Sequence, residues 1–163
     1  MKKIYDFDNL ANKVNRLKSE GNIIVHCHGC FDLMHPGHIK YFQAAKKMGD
    51  VLVVTISPDK YVDKGPGRPV FPQQLRAESI AALECVDYVA VNKWPTAENT
   101  IRLLKPDIYV KGQEFEKLED KTGKLQKEYR IIKEIGGSIK FTHEVVFSST
   151  KLLKKYFLNR KNA

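Results

Sequence analysis

Short apolar runs alternate along this chain with longer segments whose apolar residues recur at helical spacing. Leu10, Val14 and Leu17 fall three or four positions apart, which predicts a helix over 8–20, ended at Gly21-Asn22. Ile23, Ile24 and Val25 then begin a buried strand reaching His28. Ile39, Phe42, Ala44 and Ala45 form an apolar stripe on a helix over 36–48, closed by Gly49. Residues 51–56 are continuously apolar or β-branched, as in a strand covered on both faces. A polar Gly/Pro stretch over 59–72 reads as a loop. Beyond it the pattern predicts helices over 73–84, 96–104, 125–135 and 149–157, and strands over 86–91, 107–110 and 138–142.

Strands alternating with helices imply an α/β fold, a Rossmann-like doubly wound parallel sheet with helices on both sides. The expected layout is a single domain over 23–157, an N-terminal helical extension over 1–22 and a basic tail over 158–163. Ligands on such sheets bind beyond the carboxyl ends of the strands. That rule gathers residues 29–38, 57–68, Lys111-Gly112 and 147–150 along one edge. No internal repeat is visible, and 113–124 reads as a charged loop.

Composition adds limits rather than a function. The 163 residues are 42% hydrophobic, enough for one ordinary core. No apolar run approaches the roughly 20 residues needed to span a bilayer. Residues 1–6 lack the apolar stretch of a secretory signal, so a cytoplasmic protein is expected. Cys27, Cys30 and Cys85 are too few and odd in number for a disulfide framework. Cys27 and Cys30, with His26 and His28 beside them, raise the question of zinc. No second ligand pair follows at suitable spacing, and strand alternation would turn these side chains to opposite faces. Packing of small side chains is the better account. The net charge of +9 fits either a solvated lysine-rich surface or a protein that handles anions.

Chemistry concentrates where the first strand gives way to a helix, at Gly29-Cys30-Phe31-Asp32-Leu33-Met34-His35-Pro36-Gly37-His38. Gly29 lets the backbone approach a ligand closely. Pro36 suits the first helical turn, where a missing N–H loses nothing. Gly37 keeps that end open, so His35 and His38 can flank a phosphate held by free backbone N–H groups. Fixed donors of this kind stabilise charge that develops on phosphoryl oxygens.

This segment resembles the H-x-G-H signature of the cytidylyltransferase-like nucleotidyltransferases, and the resemblance extends from about Ile23 to Tyr156. Two branches match best: the adenylyltransferase domain that makes ADP-heptose, and glycerol-3-phosphate cytidylyltransferase. The stretches 64–70, 74–76, 82–87 and 104–112 are similar to the heptose branch. Both branches share a Ser/Thr-rich stretch like 147–151.

The resemblance implies transfer of a nucleoside monophosphate, with AMP favoured, from a triphosphate to a phosphorylated sugar or polyol. Pyrophosphate would leave with Mg2+, and CTP with a polyol phosphate is the alternative. It implies His35, His38, Lys46 and Arg76 as catalytic residues. Gly29, Cys30, Phe31, Asp32, Gly37, Asp59, Lys64, Lys111, Gly112, Ser148, Ser149 and Thr150 are implied to bind the nucleotide. Capping is the alternative role for Asp59 and for Ser148 to Thr150, and Lys46 could equally face solvent. Arg68 shares the glycine-rich loop of Lys64, which suits folding over phosphates. The expected partners are the triphosphate, the phosphorylated acceptor and a second copy of the chain in a homodimer, with neither nucleic acid nor membrane.

There are departures from the heptose branch. It carries Gly-Gly-Asp after the lysine, whereas this chain reads Lys111-Gly112-Gln113-Glu114, followed by an insertion-like stretch over 116–128. Acceptor identity rests on that region. A nucleic-acid-binding module is the rival suggested by charge, but no basic face with interleaved aromatics is visible in the sequence.

Overall fold

Five parallel strands form the centre of the structure, a computed structural model that describes residues 2–117, 123–144 and 147–158. They are β1 (Ile24–Gly29), β2 (Val51–Ile56), β3 (Tyr88–Val91), β4 (Ile108–Gly112) and β5 (Ser138–Thr142). Their order is β3-β2-β1-β4-β5, so the chain starts centrally and winds outward first one way, then the other. Parallel neighbours need crossovers, which α2 (Pro36–Lys46), α3 (Gln73–Ala81), α4 (Glu98–Leu104) and α5 (Lys124–Glu134) provide. The winding reverses between β1 and β4, and ligands settle at such points.

Alternation along the strands makes two cores. Val25, Cys27, Leu52, Val54 and Ile56 pack with Phe42 and Ala45 of α2 and with Ala77 and Ile80 of α3. On the other face, Ile24, Val51 and Val53 meet Leu104 of α4 and Phe7, Leu10 and Val14 of α1 (Phe7–Ser19). The N-terminal extension therefore contributes to the core. Asp6 caps α1, and the residues before it bridge the outer edge of β3: Tyr5 N–H donates to Val89, and Val89 N–H to Lys3.

Some boundaries differ from the sequence expectation. Helix α3 stops at Ala81, because 82–86 tighten into a turn closed by Leu83 and Val86 N–H. Strand β4 runs on to Gly112, since Lys111 and Gly112 pair with Phe141 and Thr142. The last α-helix, α6 (Ser149–Leu153), is short and passes into a π-helical turn at Lys154–Leu158. Residues 118–122 of the insertion-like stretch and 159–163 of the basic tail lie outside the described residues. Among the described residues, no helix is long and apolar enough to cross a membrane.

Candidate active site

Beyond Gly29 the chain turns sharply. Phe31 adopts a left-handed conformation (φ 47), rare for a residue with a side chain. Its ring folds back over Gly29, where an added Cβ would lie 2.8 Å from the ring. The ring also meets the edges of His38 and Phe42, at centroid distances of 5.3 and 4.8 Å. Strain of about 1–3 kcal/mol is thus held in place by packing.

His35 caps α2, its Nδ1 accepting from His38 N–H at 3.3 Å, and Pro36 fills the first turn. An accepting Nδ1 puts the proton of neutral His35 on Nε2. The two imidazoles stack with centroids 3.7 Å apart. His35 Nε2 and His38 Nδ1 are both buried and have no hydrogen-bond partner in the protein. Burial, then the repulsion that a second proton on His35 would exert and the Lys64 charge, push His38 down to about 4. Burial lowers His35 as well. Two uncharged imidazoles therefore stand at the N-terminus of an 11-residue helix, where backbone N–H groups favour an anion.

They open into a cavity of about 470 Å³ at the carboxyl edge of the sheet. Of the residues the sequence singled out, Gly29, Cys30, Phe31, His35, Gly37, His38, Lys64, Lys111 and Gly112 line it. Lys111 does not present a free ammonium. Its Nζ lies 2.9 Å from Glu128 Oε2, which also accepts from Tyr109 Oη at 3.0 Å. At Gly112 a Cβ would collide with the carboxylate of Glu114, so the close neighbour there is a side chain of this protein.

Other expected residues have different positions. Lys46 sits at the far end of α2 and binds Asp87 Oδ2 at 2.6 Å and the Asp50 carbonyl at 2.5 Å, at the amino ends of β2 and β3. A helix of three turns carries it away from His38, and proximity in sequence did not bring it to the site. Arg76 is buried and donates to the carbonyls of Phe71, Cys30 and Ser57 and to Asp59 Oδ1. It ties together the loops that frame the cavity and does not line it. Asp59 pairs with Arg76 and accepts from Gln73 N–H at 3.0 Å, where α3 begins.

Asp32 turns inward too. It accepts from Val70 N–H, Phe71 N–H and Arg68 Nε, at 3.0, 3.1 and 2.6 Å. Burial opposes its charge, but these donors outweigh burial and hold the carboxyl below its ordinary value. Ser148 caps α6, Ser149 donates to the Leu33 carbonyl at 3.3 Å, and Thr150 accepts from Arg68 Nη1 at 3.4 Å. Ser149 and Thr150 join loops, Ser148 bonds within α6, and none of the three lines the cavity. Cys27 is buried, its thiol pushed up to about 12 chiefly by that burial, and all three cysteines are free. Among the described residues, no three His, Cys, Asp or Glu side chains cluster as metal ligands.

Several lining residues escaped the sequence reading: His28, Tyr41, Thr96, Glu128 and Thr142. His28 was within reach, since it ends β1 at the ligand-binding edge. Glu128 was not, because it arrives on a helix from the insertion-like stretch.

A doubly wound sheet with paired imidazoles over a helix N-terminus at its carboxyl edge has the geometry of a site for a nucleotide's phosphates. Residues 26–155 match the cytidylyltransferase-like family, and the chain belongs to it. It is 41% identical over 136 residues to the bifunctional protein HldE of Nitratiruptor sp., covering 82% of this chain and 29% of HldE. The HldE of Geobacter sulfurreducens is 36% identical over 161 residues, covering 94% and 32%. The chain thus spans about a third of the length of these curated relatives.

Two solved structures share the fold. One is the lipopolysaccharide core biosynthesis protein of Thermoplasma volcanium, with TM-score 0.60 and 29% identity, covering 78% of this chain and 100% of the other. The second is the pantoate-beta-alanine ligase of Francisella tularensis, with TM-score 0.61 and 17% identity, covering 87% and 67%. At that identity the second shows the fold alone.

Proposed function

We propose that this chain transfers AMP from ATP to a phosphorylated sugar or polyol, releasing pyrophosphate, in making surface-carbohydrate precursors. The observation that carries it is the stacked pair of uncharged imidazoles, each with one nitrogen that has no hydrogen-bond partner in the protein, lining a cavity at the N-terminus of α2. An oxygen of the acceptor's phosphate would attack the α-phosphorus. A new P–O bond forms as the bond to the β-phosphate oxygen breaks, and no covalent enzyme intermediate is needed. The imidazole pair and the N–H groups of α2 would donate to the α-phosphate oxygens as charge builds. His38 completes the stacked pair, and Lys64 adds positive charge from the loop.

Magnesium would travel on the triphosphate oxygens and neutralise charge on the departing pyrophosphate. Catalysis then rests on holding two anions in line and on electrostatic stabilisation. The preference for ATP follows from the likeness of Arg68-Pro69-Val70 and Ala82-Leu83-Glu84 to the heptose branch. The T. volcanium neighbour's name supports the surface-carbohydrate context. Free thiols fit a cytoplasmic setting. Exposed Val70, Phe71 and Leu75 offer apolar area for the expected homodimer.

Each triphosphate, incubated with a panel of sugar and polyol phosphates while pyrophosphate is followed, tests the reading. Release with ATP and a sugar phosphate is expected. Release with CTP alone would move the assignment to cytidylyl transfer, and no release with any pair would end it.

A further inference from the structure

A chain of polar groups crosses the face of the sheet opposite α2, and the transfer step described above makes no use of it. Side chains alternate along β1, so His26 and His28 point away from Cys27, which packs with Phe42 of α2. Thr55 of β2 stands between them. Its hydroxyl lies 2.8 Å from His26 Nε2 and 2.9 Å from His28 Nδ1. His26 and Thr55 are fully buried, whereas His28 ends the strand and lines the cavity. The second nitrogen of His28, Nε2, has Ser57 Oγ at 3.5 Å, too long for a good hydrogen bond.

Thr55 is fully buried and, among the described residues, its hydroxyl meets only these two rings, so its single proton goes to one of them and the relay runs in one of two directions. In the first, His26 donates from Nε2 to Thr55, Thr55 donates to His28 Nδ1, and His28 carries its own proton on Nε2. In the second every donor is reversed, and His28 turns a bare nitrogen to the cavity. His26 Nδ1 decides between them, because it is buried with no partner. Orphaned N–H donors are rare inside proteins, rarer than unpaired acceptors. The first direction leaves only a lone pair unmatched at that atom. It therefore prevails.

We propose that His28 is an acceptor-binding residue, held as the Nε2–H tautomer by His26 and Thr55 and donating to an oxygen of the phosphorylated acceptor. The inference rests on the nucleotidyl-transfer reading and adds a residue outside the H-x-G-H segment. His35, His38 and the N-terminus of α2, suited to the triphosphate, lie over one face of β1. His28 opens on the other face, where Thr96 just before α4 and Glu128 of α5 also line the cavity. Burial, then the Lys111 charge, holds His28 down to about 3, so it stays a neutral donor at working pH.

Steady-state kinetics of pyrophosphate release, with the pair the wild-type chain uses, tests this. His28→Ala is expected to raise the KM for the sugar or polyol phosphate about tenfold, as for a lost hydrogen bond to an anion. The KM for the triphosphate should stay within about twofold. Thr55→Val, which removes the relay hydroxyl without touching the cavity, should raise the same acceptor KM in smaller measure. His28→Gln, which keeps an N–H near the Nε2 position, should recover part of the loss and be insensitive to Thr55→Val. A general packing role would move both KM values together, and that result would overturn the proposal. So would an unchanged acceptor KM in active His28→Ala, which would leave nucleotidyl transfer standing. A wild-type chain that releases no pyrophosphate with any pair removes both.

Discussion

At the scale of single residues, the stacked imidazoles and the buried arginine show how similar-looking motif residues do different work. His38→Ala should lower turnover by orders of magnitude with the fold intact, since its ring joins the pair facing the cavity. Full turnover in a folded variant, judged by circular dichroism, would take His38 out of the site. Arg76→Met acts through structure, because it strips donors from three carbonyls and from Asp59. A loss of about 3 kcal/mol or more in urea unfolding is expected. Lys46→Ala serves as the contrast. Its partly exposed pair with Asp87 is worth at most about 1 kcal/mol, and activity should persist.

Among elements, α5 matters most to the side of the cavity that sequence comparison leaves open. Glu128 on that helix meets Lys111 of β4 where both side chains are almost out of solvent, at 6% and 14% exposure. Removing one charge of such a pair strands the other. Glu128→Ala should therefore destabilise the fold by about 3 kcal/mol, and adding Lys111→Met should restore much of it. Additive losses across the two changes, measured by denaturant unfolding, would show that the pair is not coupled. The helix is also the part least legible beforehand. Its apolar period was visible over 125–135, but nothing local could say that Glu128 would turn inward to a lysine on β4.

For the whole molecule, buried histidines make stability depend on pH. His26 is held well below its ordinary value, chiefly by burial, with His28 at about 3 and His38 at about 4. The folded values lie below the unfolded value near 6.5, so the unfolded chain takes up protons that the native one refuses. Stability is fully present above about pH 6.5 and falls as the pH drops toward 4. The slope should approach about 1.4 kcal/mol per pH unit for each histidine. Urea midpoints at pH 7.5, 6 and 5 check this, and a flat series would contradict the burial of these rings.

Sequence by itself determined the order of strands and helices, the parallel sheet and the edge that would carry chemistry, because hydrophobic period and Gly/Pro punctuation are local properties. It located the His35-Pro36-Gly37-His38 turn for the same reason. Tertiary structure alone decided which polar side chains face the cavity. Lys46 went to the opposite edge, Arg76, Asp32 and Asp59 were spent on holding loops, and Lys111 found Glu128. His28 entered from a strand end beside Thr55. These outcomes depend on partners far apart in the chain, where burial favours donors and acceptors that find a match, and no spacing rule records which match wins.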